Sequence, residues 1–426
     1  MKRPWRERVA AACVAVSLTA APAKAWGAPG DDDAACNQAS SILELLEQHA
    51  AEGPRDGFLG ILRRFEALWA RALARQVANH CVRLNEIQVI GSHNSYHVQP
   101  RPSLFDALVA LIEDFRAWEY TNSPLNRQFG DLGIRQIELD VFADPDGGLF
   151  ASRAGLSTIG EDPASGLPEL DQPGLKVLHI PDLDFETTCL TFIACLETIE
   201  AWSRRNPRHL PIMILIEAKD DVLEIMGFAR PVPFGAEEFR TLEDEIRSVF
   251  SPDQLITPDD VRGEFETLED AVLTQGWPTL AASRGRVLFA LDNRRDAYID
   301  GDPSLVGRVA FPDSTPGQPD AAFVKLNSPI SAADLISDLV AQGYIVRTRA
   351  DSDTEEARSG DTARRDAALA SGAQYVSTDY PVPNPDFGTG YEVSLPQGRT
   401  ARCNPINAPP GCRDRALAQA RGRRGR

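Results

Sequence analysis

The chain has 426 residues, 43% of them hydrophobic and 25% charged, so it can bury a full globular core. Its formal net charge of −18 excludes an extended nucleic-acid interface, because binding to phosphate backbones needs a positive face. The same charge disfavours broad electrostatic adsorption to anionic lipid, so any membrane contact should be local and transient.

The first 25 residues have the features of a secretory signal peptide. Basic residues precede an apolar run from about residue 9 to residue 21, and Ala23-Lys24-Ala25 supplies small residues for cleavage. The apolar run is too short to span a bilayer, and no later stretch approaches the ~20 apolar residues that a transmembrane helix needs. We therefore expect a protein that is secreted to the extracellular medium or the periplasm.

The cysteine count agrees with export. Six cysteines follow the predicted signal peptide, and an even number in an oxidising compartment indicates three disulfides. Proximity in the sequence favours the pairs Cys189–Cys195 and Cys403–Cys412, which leaves Cys36–Cys81. Metal binding by these cysteines is disfavoured because the chain has no Cys-x-x-Cys pair.

The segment before residue 81 is predicted to hold a linker and two helices. Residues 26–35 are rich in Gly, Asp and Ala, and apolar residues from about Ser40 to Asn79 recur with helical spacing, interrupted at Gly53-Pro54. We expect these helices to cover one end or edge of the domain. At the other end of the chain, residues 413–426 are basic and predicted to be disordered.

Residues 81–412 are predicted to form one catalytic domain, a TIM-type (β/α)8 barrel in the α/β class, with the N-terminal helices as an extension. Short apolar runs recur, each followed by a helical or loop segment, which is typical of a parallel barrel. The eight predicted strands are Ile87–Ile90, Gln136–Val141, Lys176–Ile180, Ile212–Glu217, Arg286–Leu291, Ala322–Leu326, Tyr344–Arg349 and Gln374–Thr378.

Polar side chains follow the first four predicted strands. The first strand runs into His93-Asn94, the second ends with Glu138 and Asp140, the third with His179 and the fourth with Glu217. TIM barrels build their active sites at the carboxyl ends of their strands. Each residue has a structural alternative when it is considered singly, such as a helix cap or a surface ion pair, but the ordered set predicts an active site.

The residue types indicate a metal centre with two free histidines. Three carboxylates at one barrel rim would repel each other and lose hydration unless a cation lies between them. Glu138, Asp140, Glu217 and the amide oxygen of Asn94 are hard oxygen ligands, which suit Ca²⁺ or Mg²⁺ better than zinc. The histidines then remain available for proton transfer, which suits phosphoryl chemistry.

These residues resemble the motifs of the calcium-dependent phosphatidylinositol-specific phospholipases C, and of the secreted bacterial branch in particular. The matching run is Ser92-His93-Asn94-Ser95-Tyr96, followed by the acidic ligands, the second histidine and the last acidic ligand in the same order. The segments Arg347-Thr348-Arg349-Ala350-Asp351 and Ser377-Thr378-Asp379-Tyr380-Pro381 are similar to the closing strands of that branch. The resemblance covers roughly residues 81–412.

The resemblance implies a function and a set of roles. The enzyme would cleave phosphatidylinositol to diacylglycerol and a cyclic or open inositol phosphate, with Ca²⁺ bound by Asn94, Glu138, Asp140 and Glu217. His93 and His179 would be catalytic, although the resemblance does not say which of them is the base. The partners would be a phospholipid and, transiently, a membrane surface, and the enzyme would be a monomer.

Three cations at later strand ends are candidate substrate-binding residues. Lys219, Lys325 and Arg347 could meet a phosphate or an inositol ring, or could form salt bridges to the acidic rim instead. Such lipases usually carry an apolar ridge at the barrel rim, and Leu149-Phe150 and Phe185 are the candidates here.

Two alternatives remain open at this point. A glycerophosphodiester phosphodiesterase or sphingomyelinase-D-like enzyme would share the barrel and the metal, although the opening motif typical of those enzymes does not follow His93. A non-catalytic exported barrel that binds a ligand would be expected to lack a metal ligand, yet all six positions are filled.

Overall fold

The computed structural model of the chain describes residues 31–51 and 57–417. The predicted signal peptide, residues 1–25, and residues 26–30 of the predicted linker lie outside these residues. The same holds for the Gly53-Pro54 interruption and for residues 418–426 of the predicted tail. Residues 31–35, also predicted as linker, instead begin the helix Asp31–Ala51.

Ten strands form the sheet, and eight of them build a parallel barrel. In chain order they are β1 (Ile87–Ser92), β2 (Gln136–Phe142), β3 (Lys176–Val177), β4 (Ile212–Ala218), β5 (Val287–Leu291), β6 (Ala310–Pro312), β7 (Phe323–Lys325), β8 (Ile345–Arg349), β9 (Tyr375–Thr378) and β10 (Arg402–Cys403). The barrel strands follow the order β6-β5-β4-β2-β1-β9-β8-β7. A parallel bridge between Asp313 and Phe323 joins β6 to β7, so the barrel is nearly closed. The predicted TIM-type barrel is confirmed.

The burial of the strands explains their composition. Every residue of β1, β2 and β5 is buried, as expected for parallel strands that are covered by side chains inside the barrel and by helices outside. A period-two alternation is therefore weak, and continuous apolar runs such as Ile212–Ile216 take its place.

Helices surround the barrel. They are Asp31–Ala51, Gly57–His80, Pro102–Leu111, Leu125–Arg127, Phe192–Arg205, Ala236–Val249, Pro258–Arg262, Leu268–Thr274, Leu280–Ser283, Arg295–Ile299, Ala333–Gln342, Glu355–Ser359, Ala363–Ala370 and Asp414–Leu417. Within the part of the chain that the structure describes, none is both long and apolar enough to cross a membrane.

One predicted barrel strand is wrong and one was missed. Lys176–Ile180 does not enter the barrel, because only Lys176–Val177 is a strand and it pairs antiparallel with the end of β2. The missing barrel strand is β6, Ala310–Pro312, which pairs parallel with β5. Three residues that end in proline carry too little of the apolar pattern to be recognised as a strand.

The N-terminal helices and the C-terminal segment cover the amino end of the barrel, opposite the site. The helix Gly57–His80 packs on Leu280–Ser283, just before β5, and β10 pairs antiparallel with the beginning of β1. All three predicted disulfides are confirmed, Cys36–Cys81, Cys189–Cys195 and Cys403–Cys412.

The predicted disordered tail from residue 413 needs one correction. Asp414–Leu417 forms a short helix against Gly57–His80, and Leu417 is buried. The apolar faces of the N-terminal helices belong to the same core as the barrel. The boundary between an N-terminal extension and a catalytic domain at residue 81 stays a prediction.

His209, a buried residue that follows the helix Phe192–Arg205 in the chain, is expected to lower the stability of the fold in acid. His209 Nδ1 lies 2.6 Å from the carbonyl oxygen of Leu210 and Nε2 lies 2.8 Å from Ser203 Oγ. Burial lowers the pKa of His209 to about 4, whereas an unfolded histidine titrates near ~6.5. The unfolded state therefore binds the extra proton first, and the stability that is present above ~6.5 decreases as the pH falls towards 4.

We expect the wild type to lose about 2–3 kcal/mol of unfolding free energy between pH 7.5 and pH 4.5 through His209 alone. Urea unfolding of the wild type and of His209→Gln at both pH values measures this contribution as the difference between their pH dependences. Identical pH dependences in the two proteins would contradict it.

Candidate active site

Three carboxylates meet at the carboxyl end of the barrel. β2 carries Glu138 and Asp140 on one face, and its register with β4 places Asp140 beside Glu217. One carboxylate oxygen of each residue lies within 4.8 Å of those of the other two. Glu138 and Asp140 are buried and Glu217 is partly exposed. The structure thus brings together the three acidic residues that the sequence singled out.

The negative charge of this cluster is only partly balanced. Lys219 Nζ lies 3.4 Å from Asp140 Oδ2 and 3.3 Å from Glu217 Oε1, and Arg347 forms an ion pair with Glu138. Both Asp140 oxygens are buried, yet neither accepts a hydrogen bond. Burial and the charge of Glu217 raise the pKa of Asp140 well above its usual range. A divalent cation among the carboxylates would relieve both costs.

Asn94 lies in the turn that follows β1, where its backbone adopts a positive φ of 39°. A 2.9 Å hydrogen bond from the Ser95 amide to the Glu138 carbonyl holds this turn against β2. Asn94 Nδ2 donates to the Tyr120 hydroxyl at 3.1 Å, and the buried Oδ1 accepts no hydrogen bond. Three carboxylates and an orphaned amide oxygen fit Ca²⁺, which prefers such oxygen ligands. The coordination of one ion by all four residues stays a prediction.

His93 is held in one orientation by two buried charges. Its Nδ1 lies 2.7 Å from Asp379 Oδ1, and Arg349 donates to Nε2 at 3.2 Å while its other nitrogen bonds Asp379. This pattern assigns the proton to Nδ1 and a lone pair to Nε2. Burial, together with the charge of Arg349, lowers the pKa of His93 well below its usual value. Nε2, which lies 3.6 Å from Glu138 Oε1, is therefore a neutral proton acceptor beside the carboxylate cluster.

His179 occupies a different place from the one predicted. It does not end a third barrel strand but lies in the loop after β3, and the pairing of Val177 with Val141 carries that loop to the carboxyl end of β2. Its Nδ1 lies 2.6 Å from Asp184 Oδ2. Both His179 and His93 keep side-chain exposures of 17%, so both rings are open to a ligand on one side.

The support of His179 extends into the core. Asp184 is fully buried, and its carboxylate also contacts His97 Nε2, at 2.8 Å. The His97 ring is buried and stacks on Tyr120 with a centroid distance of 4.2 Å. Although burial alone would raise the pKa of Asp184, His97 and His179 lower it below its ordinary value. Asp184 is therefore an ionised partner that orients His179.

Sequence reasoning missed the two aspartates that hold the histidines, and Arg349. Asp379 and Arg349 lie inside the motifs quoted for the closing strands, so a search for carboxylates directly after a barrel strand would have found Asp379. Asp184 lies in an irregular loop, where no spacing rule connects it to His179.

The three candidate substrate-binding cations all form ion pairs. Lys219 bridges Asp140 and Glu217, and although burial alone would lower its pKa, these carboxylates raise it above its ordinary value. Lys325 pairs with Asp292. Arg347, only 1% exposed, pairs with Glu138 and donates to Asn327 and Ser377 at 2.6 and 3.0 Å. The rim contacts that were left open as an alternative therefore exist, and a role in binding substrate stays a prediction.

Comparison with known proteins identifies the family. Residues 82–405 match the family model described as phosphoinositide phospholipase C, Ca²⁺-dependent. The chain belongs to this family. The predicted class of enzyme, a calcium-dependent phospholipase C for phosphatidylinositol, is confirmed, and neither alternative is favoured. No curated protein matches the chain.

Solved structures with similar folds include members of the same enzyme class. The apo form of a calcium-dependent phosphoinositol-specific phospholipase C from Pseudomonas sp. is 15% identical, with a TM-score of 0.44 over 76% of this chain and 96% of that chain. A Ca²⁺-dependent phosphatidylinositol-specific phospholipase C from Streptomyces antibioticus is 18% identical, with a TM-score of 0.43 over 72% and 97%. A glycerophosphoryl diester phosphodiesterase from Parabacteroides distasonis is 13% identical, with a TM-score of 0.27 over 75% and 92%.

Replacement of Asp184 tests whether this residue orients His179 or only stabilises the fold. We expect Asp184→Asn to lower kcat on phosphatidylinositol by about 10–10²-fold with little change in KM, because the ring would lose its orienting charge and not a substrate contact. Asp182→Asn is the matched control, since Asp182 is also buried, at 3% exposure, but accepts only backbone hydrogen bonds, from Ala154 and Ala229. An equal loss of kcat in both variants would assign a structural role to Asp184.

Proposed function

We propose that the chain cleaves phosphatidylinositol between glycerol and phosphate, using His93, His179 and a calcium ion held by Asn94, Glu138, Asp140 and Glu217. The single observation that carries the assignment of these roles is the convergence of three carboxylates beside two histidines that are each fixed by a buried aspartate. One of the three, Asp140, has two buried oxygens that accept no hydrogen bond. Calcium would supply positive charge to a phosphate oxygen and favour ionisation of the attacking hydroxyl.

The mechanism begins with a proton transfer at His93. The 2-hydroxyl of inositol attacks phosphorus, and Nε2 of His93 takes its proton, because this nitrogen carries the lone pair. The hydroxyl replaces the hydrogen bond that Arg349 donates to this nitrogen at 3.2 Å. Asp379 stabilises the resulting imidazolium through Nδ1, 2.7 Å away. A five-membered cyclic phosphodiester forms as the bond from phosphorus to the glycerol oxygen breaks.

The leaving group then receives a proton from His179. Its Nδ1 is engaged by Asp184, so Nε2 is the atom that faces the substrate side and protonates the diacylglycerol oxygen. Water can open the cyclic product by the reverse sequence, with the two histidines in exchanged roles. Lys219, within 3.4 Å of both Asp140 and Glu217, would lie beside the phosphate, and Arg347 would keep Glu138 oriented. Lys325, paired with Asp292, would contact the substrate from β7.

The test is hydrolysis of phosphatidylinositol vesicles followed by ³¹P NMR, with calcium and with a chelator. We expect a cyclic inositol phosphate and diacylglycerol with calcium and no product with the chelator. Absence of turnover at every calcium concentration would sink the proposal. Calcium-dependent release of glycerol phosphate from glycerophosphocholine, without product from phosphatidylinositol, would favour the glycerophosphodiesterase alternative.

Two of the three sequence candidates for an apolar rim are buried, and the third, Leu149, is partly exposed. Phe150 and Phe185, candidates from the sequence, are each only 1% exposed and belong to a buried cluster. A group of exposed apolar side chains lies on the loop that follows β4, where Leu223, Ile225 and Met226 are 41%, 51% and 100% exposed. Leu223 also lines a small cavity with Lys219, which places this loop beside the carboxylate cluster.

We infer that the segment Leu223–Met226 inserts into the lipid surface during catalysis. Ile225→Ser together with Met226→Ser should lower kcat/KM on vesicles by about tenfold, because two apolar side chains lose their burial in lipid. Activity on a short-chain substrate below its micelle concentration should stay unchanged. Phe65→Ser is the control, since Phe65 is 56% exposed on the helix at the opposite end of the barrel. Equal losses on vesicles and monomers would contradict the insertion.

Export to an oxidising compartment is part of the same proposal. Three disulfides support it, because such bonds persist outside the reducing cytosol. The monomeric state stays a prediction.

A further inference from the structure

Arg153 is a buried cation without an ion pair. The residue is 7% exposed, no carboxylate among the described residues lies within salt-bridge distance, and its Nε has no hydrogen-bond partner among them. The guanidinium packs 4.3 Å above the ring of Phe185, which is itself buried. Burial lowers the pKa of Arg153 below its ordinary value, and the charge of Glu186 offsets this shift only in part. Such an arginine costs stability unless something binds it.

Arg153 lines a cavity of about 500 Å³ between the long loop after β2 and the helix Phe192–Arg205. Thr188, on the same wall, also has a buried hydroxyl without a partner. The cavity further contains the amino end of that 14-residue helix, whose N-cap Thr191 accepts from the amide of Ala194. A guanidinium, an orphaned hydroxyl and the positive end of a helix dipole thus face one space, and each favours an anion.

Two acidic residues, Glu186 and Glu169, also line this space. Glu186 lines the cavity, but its carboxylate already accepts from Arg101, at 3.0 and 3.3 Å. Glu169 is exposed, so solvent screens its charge. Phe185, Leu167 and Leu190 give the cavity apolar surface, and the rest of the lining adds hydroxyl groups, from Ser165, Thr187 and Thr191. The cavity therefore combines an anion hole with room for a small organic group.

We propose that this cavity is a binding site for a phosphate ester, separate from the carboxylate cluster, in which Arg153 and Thr188 hold the phosphate group. A bidentate contact from the guanidinium matches phosphate geometry, and the apolar walls cover a glycerol-sized substituent. None of the residues that line the cavity belongs to the proposed catalytic or metal-binding set. The source of the ester is either a phospholipid headgroup or a soluble phosphate ester.

The test is calorimetric titration of the full-length protein with sn-glycerol 3-phosphate, in EDTA so that no calcium brings phosphate to the carboxylate cluster. The wild type should bind saturably. Arg153→Gln should weaken the affinity by about tenfold or more and Thr188→Val by a smaller factor. Arg204→Gln, which removes the same charge from the exposed far end of the helix, should bind like the wild type. Thr188→Val keeps the test decisive if Arg153→Gln does not fold.

A parallel arm identifies the source of the ester. Sedimentation with phosphatidylglycerol vesicles in EDTA, compared with phosphatidylcholine vesicles, measures headgroup binding. Arg153-dependent binding to the vesicles alone would assign a lipid headgroup, and Arg153-dependent binding of glycerol 3-phosphate would assign a soluble ester. Absence of binding in both arms, or wild-type affinity in both Arg153→Gln and Thr188→Val, would overturn the proposal. Because neither arm measures hydrolysis, its failure leaves the proposed catalytic function untouched.

Discussion

Alanine at position 93 or 179 is expected to lower kcat on phosphatidylinositol by about 10²–10⁴-fold, the range for loss of a general acid or base. His93→Ala removes the lone pair that would take the proton of the 2-hydroxyl. His179→Ala removes the group that would protonate the leaving oxygen. Steady-state rates on vesicles at saturating calcium measure both effects.

The two variants should differ when the leaving group is changed. In an inositol phosphate ester of a phenol, the phenolate leaves without protonation. Cleavage of this ester should therefore depend strongly on His93 and only weakly on His179. His49→Ala, on the helix Asp31–Ala51 at the opposite end of the barrel, is the control and should retain the wild-type rate. A near-wild-type rate of His93→Ala on phosphatidylinositol would remove His93 from the mechanism. Equal sensitivity of the phenol ester to both histidines would reverse or merge the assigned roles.

The sequence specifies the barrel more fully than it specifies the support of the active site. Seven of the eight barrel strands could be predicted because each contains a short buried run rich in apolar residues, as in residues 212–216 of β4 and Val287–Leu291 of β5. β6 could not be predicted, since three residues carry no periodicity. β3 was misplaced because Lys176–Ile180 has the composition of a barrel strand, and only the antiparallel pairing with β2 shows that it is not one.

In the active site, too, the residues on strands could be predicted and the contacts made through loops could not. Glu138, Asp140 and Glu217 were predictable because strand geometry alone places alternate residues on one face and parallel strand ends at one rim. The contacts from Asp379 to His93 and from Asp184 to His179 were not, because they join segments 286 and 5 residues apart through loops. Arg153 was invisible for a related reason, since the absence of a partner is a property of the folded environment.

Removal of one charge from the carboxylate cluster is expected to weaken calcium binding more than any other single change. Asp140→Asn should raise the calcium concentration for half-maximal activity by about 10²-fold or more, because Asp140 is fully buried and both of its oxygens lack hydrogen-bond partners. Glutamine at Glu138 or Glu217 should act in the same direction. The calcium affinity is measured in two ways, from the calcium dependence of activity and from isothermal titration calorimetry without substrate.

Thermal unfolding gives a readout that is independent of catalysis. Calcium should raise the melting temperature of the wild type, since an ion that binds only the folded state stabilises it by mass action. Asp140→Asn should lose most of this shift, and in EDTA it should melt at a higher temperature than the wild type, because three crowded carboxylates are reduced to two. Asp221→Asn makes the same change in charge on a side chain that is 83% exposed, two residues beyond Lys219, and should keep the wild-type response to calcium. A calcium shift of wild-type size in Asp140→Asn would place the ion elsewhere. A lower melting temperature in EDTA would mean that the ion pair of Asp140 with Lys219 outweighs the repulsion among the carboxylates.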